Sequence, residues 1–211
     1  MVKKDLGVSS AKELDGATVC IQTGTTTELN LADFFKFNNI SYTPVTVQDD
    51  SEAQRQYLAG ACDAYTTDAS GLAASRATMA DPENHIILPE IISKEPLGPV
   101  VRHGDNQWGD IVRWTYFALL IAEEKGITKA NVEEVAKTST DPEVRRLLGV
   151  EGDMGAMMGL DNEWAKRAIA ASGNYGEIFE RNVGPSSPLG LPRGLNNLWN
   201  KGGIQYAPPV R

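Results

Sequence analysis

The sequence predicts an α/β lobe built on a parallel-type sheet, followed by a run of helices with no strands of their own. Three observations carry that expectation. β-Branched runs alternate with amphipathic segments as far as residue 88, the pattern of a parallel sheet covered by helices. Most of the helical segments open on capping residues, which fixes where strand gives way to helix. After residue 102 the strand signals stop while well-punctuated helices continue.

The first strand is Ala17-Thr18-Val19-Cys20-Ile21-Gln22, a β-branched run that ends in a Thr/Gly turn. Residues 28–37 then carry apolar side chains near helical spacing. Ser-Tyr-Thr-Pro-Val-Thr-Val at 41–47 is a second strand, and Asp49, Asp50, Ser51 and Glu52 open a helix that Gly60 stops. Residues 62–67 read as a third strand, 68–77 as a short helix and 85–88 as a fourth strand.

Beyond Pro96-Leu97-Gly98-Pro99, residues 100–102 form one more short strand candidate. Helices are expected at 107–125, 129–137, 142–148 and 162–171, with Thr128, Asp141 (Pro142 at N1) and Asp161 before the last three. The first of these places Trp108, Ile111, Val112, Thr115, Leu119 and Ala122 on one face, so it expects a sheet or another helix to cover it. Met154, Met157 and Met158 between glycines read as a packed loop. The Pro/Gly/Asn-rich residues 184–211 read as an extended wrap with a helical turn near 194–199, anchored by Leu195, Leu198, Trp199, Ile204 and Tyr206. The expected division is therefore 1–98 as the sheet lobe, 99–183 as a crossover with helices, and 184–211 as a tail.

A net charge of −8 and a sequence pI near 4.8, with no Lys/Arg runs, exclude the basic surface that a nucleic acid or anionic membrane would need. A small solute is the expected partner. No stretch reaches the roughly 18 apolar residues of a membrane span. The opening segment 1–7 has two lysines and no apolar region behind them, so it does not read as a secretory signal.

Cys20 and Cys62, the two cysteines, fit no zinc or redox spacing, so no metal is expected. They are either small buried hydrophobes or a disulfide. Each sits beside a strand candidate, and a bridge of that loop length would stabilise by about 4 kcal/mol and imply an oxidising compartment.

The chemistry-bearing segment is the turn Gln22-Thr23-Gly24-Thr25-Thr26 between a strand and a helix. Unsatisfied N–H groups and the positive end of the dipole make a helix N-terminus an anion site, and without a Gly-Lys-Ser/Thr ending a carboxylate fits better than a nucleotide. Capping of the helix by Thr25 to Thr27 is the plainer reading of the same residues. Thr67-Asp68 closes the third strand, and ligands of open α/β sheets bind outside carboxyl ends of strands. An anion-seeking loop and an aspartate in one crevice match the carboxylate and ammonium of an α-amino acid, although Asp68 is also a good helix cap. His85 and His103 lack catalytic context, and no nucleophile elbow, His-Glu-x-x-His or dinucleotide fingerprint occurs.

Taken together, Lys12-Glu13-Leu14-Asp15-Gly16, the 22–26 loop, Tyr65-Thr66-Thr67-Asp68, Gly98-Pro99-Val100-Val101 and Gly173-Asn174-Tyr175-Gly176-Glu177-Ile178-Phe179-Glu180 resemble the periplasmic solute-binding proteins of amino-acid ABC importers. The resemblance spans essentially the whole chain and is nearest the general L-amino-acid-binding type, a two-lobed Venus-flytrap fold. It implies that Thr25 and Thr26 hold the ligand α-carboxylate, Asp68 pairs with its ammonium, and Gln22 and Thr67 line the pocket near the side chain. It implies no cofactor and no enzymatic activity, a periplasmic location, L-amino acids and membrane permease subunits as partners, and a cleft between two lobes. The family's first lobe also supplies an arginine and aromatic residues from an N-terminal βαβ segment not found in this sequence. The chain thus reads as N-terminally truncated, its helices after residue 100 belonging to an incomplete lobe, with impaired binding and self-association of exposed helix faces as the consequences. A cyclohexadienyl-dehydratase-like enzyme and a sensory ligand-binding domain are the alternatives on the same scaffold.

Overall fold

The computed structural model describes residues 1–211 and divides them into two compact units, Met1–Leu97 and Gly98–Arg211. The first unit is the α/β lobe. Its strands are β1 (Val2–Lys3), β2 (Ala17–Gln22), β3 (Tyr42–Val47), β4 (Ala64–Tyr65) and β5 (His85–Ile86), in the order β3-β2-β4-β1-β5. Helices α1 (Thr26–Phe37), α2 (Asp50–Leu58) and α3 (Ala69–Thr78) each follow the carboxyl end of a parallel strand.

The sheet is of the expected parallel type around β2, with a further strand that makes it mixed. β2 pairs in parallel with β3 over Ala17↔Tyr42 to Gln22↔Val47, and with β4 at Val19↔Ala64 and Cys20↔Tyr65. β1, which the sequence did not announce, runs antiparallel between β4 and β5. The third and fourth strand candidates shrink to two residues each, because pairing rather than propensity ends them.

Two apolar layers flank this sheet. One gathers Val19, Ile21, Leu31, Phe35 and Ala64; the other gathers Cys20, Val47, Ala53, Tyr57, Cys62, Tyr65 and Leu72. The alternation of Val19 and Ile21 against Cys20 along β2 is the period-2 signature of a strand covered on both faces. Cys20 and Cys62 form a disulfide with Cα atoms 5.7 Å apart.

The second unit is helical: α4 (Asn106–Glu124), α5 (Val132–Thr138), α6 (Pro142–Leu147), α7 (Met154–Met157), α8 (Trp164–Ser172) and α9 (Tyr175–Asn182). Ala118, Ile121, Ala122, Ile127, Leu147, Leu148, Ala165, Ile169 and Val210 build its own core. Residues 100–102 are not a strand; Val100 is 95% exposed, with no neighbouring strand to pair with. Helix α4 buries its C-terminal half against α8 and α9, and of the expected apolar face only Ala122 is fully buried, Trp108 remaining half exposed. α5 starts at Val132, since Thr128 and Asn131 close a turn on each other through Thr128 N–H to Asn131 Oδ1 (2.7 Å) and Asn131 N–H to Thr128 Oγ1 (3.2 Å).

The methionine loop is the one-turn helix α7, with Met158 buried behind it and Met157 exposed. Helix α9, absent from the sequence reading, opens on a reciprocal capping box between Asn174 and Glu177. In the tail Leu198 and Val210 are the buried anchors, whereas Leu195, Trp199, Ile204 and Tyr206 are exposed. Arg193 pins the tail by a double hydrogen bond to Glu123 (3.1 and 3.0 Å) and lies over the Tyr175 and Phe179 rings. No helix is long and apolar enough to cross a membrane.

Candidate functional site

The carboxyl ends of β2, β3 and β4 share one edge of the sheet in the first unit, and α1, α2 and α3 start from it. Parallel register sets the level of each residue there: Cys20 pairs with Tyr65 and the Thr66 N–H donates to the Cys20 carbonyl at 3.2 Å. Continued two residues on, that register puts Gln22 level with Thr67. The Thr18–Asp63 ring of hydrogen bonds (2.6 to 3.0 Å) and the Cys20–Cys62 disulfide tie the approach to β4 onto β2.

The loop residues are largely occupied with one another. Gln22 Nε2 donates to the Gln48 carbonyl (3.1 Å), and the Thr23 N–H donates to the Val47 carbonyl (3.0 Å). Gly24 sits at φ +72, a left-handed turn that favours glycine. Thr25 is the N-cap of α1: its hydroxyl accepts from the Glu28 N–H (3.3 Å) and donates to the Gln22 carbonyl (2.9 Å). The plainer capping reading therefore holds for the Thr25 side chain. Thr26 is exposed, and its hydroxyl makes no hydrogen bond within the chain.

Glu28 was not foreseen, and it is the residue that closes this turn. Its Oε2 accepts from the Gly24 N–H at 2.7 Å and stands 3.5 Å from the Thr23 hydroxyl. The spacing Thr25-x-x-Glu28 was visible as a capping-box signature, with the glutamate reaching one residue further back than the usual partner.

Asp68 behaves differently from its capping expectation. It occupies the N-cap position of α3 and its carbonyl accepts from the Leu72 N–H (2.8 Å), but its carboxylate caps nothing. Partial burial, then the charges of Glu95 and Asp50, raise its pKa above the ordinary 3.8. Thr67 lies against α3, where a side chain at Gly71 would approach Thr67 Cγ2 to 3.1 Å. On β4, the Tyr65 hydroxyl is buried without a hydrogen-bond partner, and burial raises its pKa.

His85 is buried in the core layer, with Nδ1 2.8 Å from the Tyr57 hydroxyl and Nε2 3.4 Å from Asp81. No group of three or more His, Cys, Asp or Glu side chains is disposed to hold a metal ion.

No family model matches the chain. A glutamate/glutamine/aspartate/asparagine-binding protein, BztA of Rhodobacter capsulatus, is 70% identical over 100% of this chain and 62% of its own length. A second such binding protein, the general L-amino acid-binding periplasmic protein AapJ of Rhizobium johnstonii, is 62% identical over 100% of the chain and 62% of its own length. The putative amino-acid ABC transporter-binding protein YhdW of Escherichia coli K12 is 59% identical over 97% of the chain and 60% of its own length. Among solved structures, an ABC transporter periplasmic binding protein from Brucella ovis with glutathione bound superposes with a TM-score of 0.95 at 54% identity, covering 100% of this chain and 66% of that one. The chain thus spans less than two thirds of the length of these binding proteins.

Proposed function

We propose that this chain is part of the solute-binding component of an amino-acid ABC importer, working in the periplasm and delivering L-amino acids to membrane permease subunits. The observation that carries the reading is the Asp68 carboxylate, uncommitted to its own helix at the strand edge that also bears the threonine loop. In this reading the Thr25 and Thr26 end of the loop takes the α-carboxylate, with donors left over after Thr25 and Glu28 have served the turn. Asp68 takes the α-ammonium. Gln22, Thr23, Gly24 and Thr67 shape the wall around them.

Met1–Leu97 is read as one lobe, and 99–183 with the tail 184–211 as material of the other. The chain covers about 62% of its curated relatives, so the remaining contacts would come from sequence outside it, and the piece alone binds weakly. Exposed apolar side chains such as Val100 and Met157 offer a route to self-association. Binding rather than catalysis is favoured because relatives 59 to 70% identical are named as binding proteins, and His85 is spent on Tyr57.

Two-dimensional amide NMR tests the reading directly, because it detects millimolar ligands. Adding L-glutamine, L-glutamate or L-alanine is expected to shift the amides of Gly24, Thr25, Thr26 and Asp68 together and saturably. Shifts confined to other residues, or none with any amino acid, would remove the assignment.

A further inference from the structure

The loop already holds a carboxylate of its own. Glu28 Oε2 lies 2.7 Å from the Gly24 nitrogen and 3.5 Å from the Thr23 hydroxyl, while its own N–H donates to the Thr25 hydroxyl at 3.3 Å. The Thr25 hydroxyl passes on to the Gln22 carbonyl at 2.9 Å, so Glu28 reaches the end of β2 through two hydrogen bonds. A turn through a left-handed glycine with no such anchor has several conformations to lose on meeting a ligand. With the anchor, the order is imposed before the ligand arrives.

We propose that Glu28 is a positioning residue of the carboxylate-binding loop, with two opposed effects on affinity: its hydrogen bond pre-sets the turn, and its negative charge weakens the anion held beside it. The proposal rests on the amino-acid-binding reading of the same loop. The first effect is geometric and needs only an acceptor at Oε2. The second is Coulombic, acts over several ångströms in a solvent-exposed turn, and amounts to about a threefold loss of affinity in a water-like medium. It must also fade with salt, since charges at an exposed site are screened.

The test is a pair of substitutions that separate acceptor from charge, Glu28→Gln and Glu28→Ala, followed by amide shifts of Gly24, Thr25 and Thr26 with L-glutamine and with acetate as probes. Glu28→Gln keeps an acceptor for Gly24 and removes the charge, so both probes should bind about threefold tighter at low salt, with the gain vanishing in molar salt. Glu28→Ala loses both, and the probes should bind more weakly than to the parent chain. A residue with a merely structural role would move both variants in one direction. Equal or weaker binding by Glu28→Gln overturns the proposal and leaves the amino-acid reading standing. Acetate responding as described while no amino acid binds overturns the amino-acid reading and leaves Glu28 in its role. No response to any carboxylate removes both.

Discussion

At the residue scale the decisive side chain is Asp68, because its N-cap position and its function can be told apart. A capping aspartate gives its carboxylate to helix N–H groups, and this one does not. Its pKa is raised by burial and by Glu95 and Asp50, so the ionised form that an ammonium requires is fully present only above that raised value. Affinity for an amino acid should therefore fall as pH drops through it, and Asp68→Asn should abolish that pH dependence. The variant should also bind about one to two orders of magnitude more weakly, the worth of a charge-assisted hydrogen bond. Stability moves the other way. A carboxylate with a raised folded pKa opposes folding once ionised, so Asp68→Asn should unfold at slightly higher denaturant at pH 7. A variant that lost stability and kept its affinity would make Asp68 a structural residue.

At the scale of elements, the fold was legible wherever local chemistry sets an element and obscure wherever partners do. β2 and β3 could be read because β-branched and apolar residues dominate both runs, and α2 and α6 because Asp49 and Asp141 mark their starts. β1 could not: two residues carry no periodicity, and Val2 is a strand only because β4 and β5 flank it. Residues 100–102 looked like a strand for the converse reason, having propensity without a neighbour. In the site, the threonine loop and Asp68 were visible as types, but the allocation of hydrogen bonds within the loop to Glu28 was a matter of geometry. β4 is held to β2 at two residue pairs, against six between β2 and β3. The disulfide reinforces that pairing from beneath the site. Reduction should cost about 4 kcal/mol for a loop of 42 residues' separation, seen as a lower denaturation midpoint. Hydrogen exchange should accelerate first at the Asp63 and Thr66 amides, which donate to the Thr18 and Cys20 carbonyls of β2, with β3 still protected. Uniform acceleration across the sheet would show that the bridge holds the whole unit and not this strand pair.

At the scale of the whole molecule, residues far apart in sequence close the sheet of the first unit. Val2 is fully buried between β4 and β5, paired with Ala64 and Ile86, and the Tyr65 N–H donates to the Met1 carbonyl at 2.9 Å, the pairing of an antiparallel ladder. β1 thus joins strands that the sequence places far downstream of it. Val2→Ala removes buried apolar surface from the interior of the sheet and should cost about 2 kcal/mol, seen as a lower urea midpoint. Hydrogen exchange at the Tyr65 amide, which reports the β1–β4 pairing, should accelerate with it. An unchanged midpoint would mean that β1 contributes less to the sheet than its interior place implies.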